Sequence, residues 1–176
     1  MSWVPELFRR LYALKRLRRK GWVRRGIREP ESVADHSYSL AVFSMLLAAD
    51  RGLDPLRAAA IALVHDLPET IVGDMTPEEK MEDRSLGEAE LRALWEVAAE
   101  LPERPSTLLR SLYLEYVEQS SEEARLVKEL DKLEMALQAQ LYGEQQDRPD
   151  VAGEFTQSAL EKISDPLLRR IIRPND

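Results

Sequence analysis

Apolar residues recur three and four positions apart through most of this chain, the spacing of one helix face, and long alternating β-branched runs are missing. Leu7, Leu11, Leu14 and Leu17 predict an amphipathic first helix over 5–19. Gly21, Gly26 and Pro30 predict a loop after it. Ser32 then stands as an N-cap, and Asp35 at the third helical position makes an imperfect capping box. The helix it opens carries Val33, His36, Leu40, Phe43 and Leu47 on one stripe and ends near Gly52. Asp54 and Pro55 supply a cap and a first-turn proline for the next helix. Its run from Ala58 to Val64 is apolar on every side and therefore belongs at the centre of the molecule.

Residues 73–77 read as a loop, in which Thr76 with Glu79 caps a short helix. Further helices are expected over 86–100 and 105–117, and from a Ser120/Ser121 cap to about Tyr142. Two more close the chain, over 151–163 and from Asp165-Pro166 to Ile171. About seven helices with short connections predict an all-α fold, a single-domain helical bundle over 1–176 whose C-terminal helices lie at about 150–172.

Composition narrows this further. With 176 residues, 44% of them apolar, the chain can bury a core. No window approaches the roughly 18 apolar residues of a membrane span, so no membrane partner is expected. The N-terminus lacks an apolar run beside a small-residue cleavage site, which predicts a cytoplasmic protein. The absence of cysteine excludes a disulfide framework, thiolate zinc, iron–sulfur ligation and a cysteine nucleophile.

The net charge of −7 is unevenly placed. Between Lys15 and Arg28 lie eight basic residues and no acidic one, and the rest of the chain has 17 basic against 32 acidic residues. A local basic segment on an acidic body suits a small anion and disfavours a nucleic-acid partner, which calls for a broad basic face. The same run also reads as a solvated helix end and loop.

The chain has two histidines, and both fall on stripes that face the core. His36 shares its stripe with Val33, Leu40 and Phe43, while His65 ends the buried run and is followed by Asp66. Asp131 lies four residues from both Val127 and Met135, on or beside an apolar seam. Buried groups of this kind need a hydrogen bond, an ion pair or a metal, and a bundle core is a common place to build a metal centre. Two imidazoles with two carboxylates suit one divalent transition metal (manganese, cobalt, iron, nickel or zinc, with magnesium an alternative). A pair of satisfied core histidines fits the same spacing.

Glu69 falls four residues after His65, and a continuing helix would put it on the same face, where a carboxylate can act as general base. Pro68 predicts a kink there. Asp66, Glu69 and Asp74 together would repel one another without a cation nearby.

The ordered set His36, His65-Asp66 and Asp131 resembles the H…HD…D signature of the HD-domain phosphohydrolases. Five words sharpen it: Gly21-Trp22-Val23-Arg24-Arg25, Pro30-Glu31-Ser32-Val33-Ala34-Asp35-His36-Ser37, Ala62-Leu63-Val64-His65-Asp66-Leu67-Pro68-Glu69, Ile71-Val72-Gly73-Asp74 and Val127-Lys128-Glu129-Leu130-Asp131. Together they resemble the 5′-deoxynucleotidase group, bacterial and eukaryotic, over about residues 7–145.

The resemblance implies an HD-type bundle that binds one divalent metal through His36, His65, Asp66 and Asp131. It implies hydrolysis of deoxyribonucleoside 5′-monophosphates, with Glu69 as catalytic glutamate and Asp74 near the reacting water. Trp22 matches a tryptophan lining the sugar pocket; the arginine preceding it in the bacterial members is Gly21 here, and Arg25 is the substitute for its phosphate grip. Lys80 is a weaker phosphate candidate. A homodimer is implied as well. Two alternatives stay open: an HD phosphohydrolase acting on a pyrophosphate or cyclic phosphodiester, and a non-enzymatic helical module gripping RNA or a partner.

Overall fold

The computed structural model describes residues 2–76, 79, 82, 83 and 85–173. The elements among them are α1 (Trp3–Arg16), α2 (Lys20–Arg24), α3 (Val33–Asp50), α4 (Pro55–Val64) and α5 (Glu69–Val72). They continue with α6 (Ser85–Ala99), α7 (Glu103–Glu118), α8 (Glu122–Gln146), α9 (Pro149–Lys162) and α10 (Pro166–Ile172). The fold is all-α, as the periodicity predicts.

The predicted caps operate. Ser32 Oγ accepts from Asp35 N and the Asp35 carboxylate accepts from Ser32 N at 2.8 Å, so the imperfect box is complete. Asp54 accepts from Leu56 N and Arg57 N with Pro55 in the first turn of α4. Ser121 accepts from Ala124 N to start α8, and Glu122 and Glu123 complement its N-terminal dipole.

Helix α8 is the spine. Leu130, Leu133 and Ala136 pack with Leu40 and Ala48 of α3, Ala58, Ile61 and Ala62 of α4, and Ile163 and Ile172 from the C-terminal end. The alanines let α3, α4 and α8 approach closely, and each buried Leu or Ile contributes about 1.5–3 kcal/mol. A second cluster joins Leu14, Leu67, Leu94, Val97 and Tyr113, and a third joins Trp22, Met135, Tyr142, Val151 and Phe155.

Three local readings are corrected. The first helix stops at Arg16, because Leu17–Arg19 extend to form a bridge between Arg18 and Ser32. Leu17 O thereby accepts from Val33 N at 2.9 Å, satisfying a donor that the start of α3 leaves unpaired. Gly21 and Trp22 lie in the short helix α2, and the turn falls at Gly26, whose φ of +70° favours glycine. At Pro68 the chain breaks rather than kinks: α4 ends at Val64, tight turns follow (Leu67 N to Val64 O, Glu69 N to Asp66 O), and Pro68 directly precedes α5.

Replacing Ser32 by Ala is expected to lower stability by about 1 kcal/mol, read as a lower urea midpoint at unchanged m-value. An unchanged midpoint would mean that Ser32 does not hold the start of α3.

Candidate metal centre

His36 sits in the second turn of α3, His65 and Asp66 directly after α4, and Asp131 in the middle of α8. The three helices bring the two imidazole rings to a centroid distance of 5.4 Å at 62°. One ligand atom each from His36, His65 and Asp131 lies within 4.8 Å of the others, and all three residues are buried. Asp66 Oδ2 joins them at 3.0 Å from His65 Nε2 and 3.9 Å from His36 Nε2, and Asp131 Oδ1 is 3.2 Å from His36 Nε2.

The tautomers follow from the far side of each ring. His65 Nδ1 donates to Ala62 O at 2.7 Å, and His36 Nδ1 is 2.6 Å from Glu134 Oε2, so both Nδ1 atoms face acceptors. The Nε2 atoms of both histidines are buried and, among the described residues, lack a hydrogen-bond partner. Two imidazole lone pairs and two carboxylates thus point at one small volume, an arrangement that repels itself until a cation enters. This mixed N/O donor set fits a divalent transition metal. Glu31, His36 and Glu134 form a second close set on the other side of the His36 ring. There, Trp22 Nε1 donates to Glu31 at 2.8 Å and the short Nδ1 contact is a hydrogen bond, so we read that set as an anchor.

Without a metal, protons, Arg19 and Lys132 supply the positive charge. Burial and then the Arg19 charge lower the His36 pKa, but the Asp131 and Glu134 carboxylates on either side of its ring outweigh them and raise it to about 9. Asp131 stays well below the carboxylate range although burial opposes this, because Lys132 and the two histidines hold its charge. Asp66 is likewise lowered against burial by His65 and Arg19, whose Nη1 lies 3.2 Å from Asp66 Oδ2. Burial, and then the charge of Glu134, raises Glu31 to about 7.

A cavity of about 500 Å³ opens over the cluster, lined among others by Arg19, Asp66, Glu69, Asp74, Asp131 and Phe155. Glu69 is buried at the start of α5, and Asp74 accepts from Lys20 N. Trp22 is only 1% exposed and forms the wall from inside the core, stacked 4.2 Å from Phe155. Arg25 pairs with Glu154 and lies 4.7 Å over the Phe155 ring. Lys80 lies outside the described residues. Sequence reasoning missed Arg19 and Glu134: the first was visible only as one charge in the basic segment, the second only as a helix glutamate three residues after Asp131.

Residues 11–170 match the HD domain family. The chain belongs to that family. It is 40% identical to mouse 5′-deoxynucleotidase HDDC2, covering 90% of this chain and 79% of that protein. The human protein of the same name is 39% identical over 90% of this chain and 78% of its own length. Among solved structures, the PH0347 protein of Pyrococcus horikoshii superposes with a TM-score of 0.78 at 36% identity, covering 94% of this chain and 91% of that one.

The pH dependence of the metal-free protein follows from these shifts. His36, raised from 6.5 to about 9, contributes stability that is complete below pH 6.5 and lost as pH rises through about 9. Glu31, raised from 4.5 to about 7, adds a loss over the interval below it. Calorimetry in chelator is expected to show Tm falling between about pH 6.5 and 9.5. A Tm that is flat or rising over that range would contradict the protonated cluster.

Proposed function

We propose that this chain is a metal-dependent phosphomonoesterase that hydrolyses deoxyribonucleoside 5′-monophosphates to deoxyribonucleoside and phosphate. One observation carries the reading: two buried imidazole nitrogens without hydrogen bonds converge with the Asp66 and Asp131 carboxylates beneath a nucleotide-sized cavity. Its likeness to proteins named 5′-deoxynucleotidase supports the substrate class.

In this reading His36, His65, Asp66 and Asp131 hold the metal. A divalent transition ion bound there supplies Lewis acidity to a phosphate oxygen and lowers the pKa of bound water. Glu69, buried beside the cluster at the start of α5, takes the proton of the attacking water. Asp74, fixed by Lys20 N, orients that water. The water oxygen bonds to phosphorus as the P–O5′ bond breaks, and the leaving oxygen takes up a proton. Arg19 and Arg25 line the cavity and offset the dianionic phosphate. The Trp22 wall shapes the sugar seat; an apolar wall alone discriminates against an added hydroxyl by only about a hundredfold. We further infer a cytoplasmic homodimer in which residues 1–176 act as one HD domain. The exposed Phe8 and Tyr12 on α1 supply apolar surface for pairing.

Phosphate release is expected from deoxyribonucleoside 5′-monophosphates with added metal, and neither in chelator nor from cyclic phosphodiesters. Equal rates on diphosphates or cyclic substrates would assign a different chemistry to the cavity. Asp66→Ala is expected to lose metal and activity together. Glu69→Ala should keep metal while turnover falls about 10²–10⁴-fold; a wild-type rate would remove Glu69 from the mechanism.

A further inference from the structure

The two imidazoles of the cluster are anchored differently. His65 leans on a neutral group, the Ala62 carbonyl, whereas His36 leans on the Glu134 carboxylate. Glu134 is 4% exposed and His36 fully buried, so this contact lies in the interior, away from water. Asp131 and Glu134 are three residues apart on α8 and share a face. Asp131 reaches the Nε2 side of the His36 ring and Glu134 the Nδ1 side, so one turn of α8 brackets both nitrogens.

Behind Glu134 the polar chain continues. Glu31 has a ligand atom within 4.8 Å of those of His36 and Glu134. The Glu31 carboxylate accepts from Trp22 Nε1, and its backbone N–H donates to Tyr142 Oη at 2.8 Å. The connection runs from the Trp22 wall through the half-buried Glu31, on the loop before α3, to Glu134 and His36.

We propose that Glu134 is a positioning residue that fixes the Nδ1–H tautomer of His36, aims its Nε2 lone pair into the cluster and makes it the more electron-rich of the two imidazole ligands. The proposal rests on the reading of the cluster as a metal centre. A carboxylate behind a ligating imidazole raises its basicity and locks its rotation, and removing such a partner typically weakens metal binding by about 10–100-fold. A backbone carbonyl, as behind His65, orients the ring but adds no full negative charge.

The test is Zn²⁺ binding to the purified protein, with Glu134→Gln as the first variant because glutamine keeps the size and an accepting oxygen while removing the charge. The expected result is a Zn²⁺ dissociation constant about 10–100-fold higher. In the Zn²⁺-loaded protein labelled with ¹⁵N-histidine, only two imidazoles report. The His36 Nδ1–H signal should shift in the variant while the His65 signals stay in place, a signature that a merely structural glutamate would not produce. If Glu134→Gln fails to fold, Glu134→Asp, which keeps the charge but withdraws it by one methylene, is expected to weaken Zn²⁺ in the same direction. A wild-type dissociation constant, or an unshifted His36 signal, in whichever variant folds overturns the proposal alone. No Zn²⁺ binding by the wild-type protein overturns the metal-centre reading, and this proposal with it.

Discussion

Four electron-rich groups from three helices meet in the interior of this protein, and the meeting is unfavourable until positive charge joins it. Burying a carboxylate or an imidazole without a partner costs several kcal/mol at the upper end, and here the costs are concentrated at one point. The protein offsets them in two ways. Two cations lie beside the carboxylates, Arg19 on Asp66 and Lys132 on Asp131, and in the metal-free state His36 keeps a proton to about pH 9. A divalent ion would replace that proton, so metal uptake and proton release at His36 are coupled.

Such a cluster needs a frame that cannot relax away from it. Helix α8 supplies the frame, since Leu130 and Leu133 lock it to α3 and α4 while Asp131 and Glu134, buried on the same stretch of helix, bracket His36 of α3. The alanines at 41, 48, 58 and 62 matter for the same reason. With little side chain between them, α3 and α4 approach closely enough for the two rings to stand 5.4 Å apart. Larger residues there would separate the ligands before they disturbed the fold, because interiors transmit volume changes rather than absorb them.

How far the sequence reveals this depends on whether the cause is local. The start of α3 was legible because Ser32 and Asp35 satisfy each other within one turn. The start of α4 was legible because Asp54 accepts from Leu56 N and Arg57 N and Pro55 suits the first turn. The break after Arg16 was not, because it frees the Leu17 carbonyl for Val33 N, sixteen positions further along the chain. Arg19 and Glu134 were hidden for a related reason. Each is a charged residue among other charged residues, and only tertiary packing separates the one that is buried from those that are solvated. The histidines escaped that ambiguity because there are only two, both on apolar stripes.

The same distinction explains the cavity wall. The resemblance read in the sequence stops near residue 145, but the family match runs to residue 170, and the structure shows why α9 and α10 belong to it: Phe155 packs on Trp22, and Ile163, Leu168 and Ile172 enter the main core. A Cβ placed on Gly21 would stand 3.6 Å from the Phe155 ring, an ordinary contact, but any longer side chain in that direction would have to displace the ring. The Phe155 ring of α9 thus occupies the space beside Gly21. Arg25, one turn on from Gly21 and lying over that same ring, returns a cation to the cavity from a different backbone position. The wall of the pocket and the placement of its charge are thus one packing decision, made between α2 and α9.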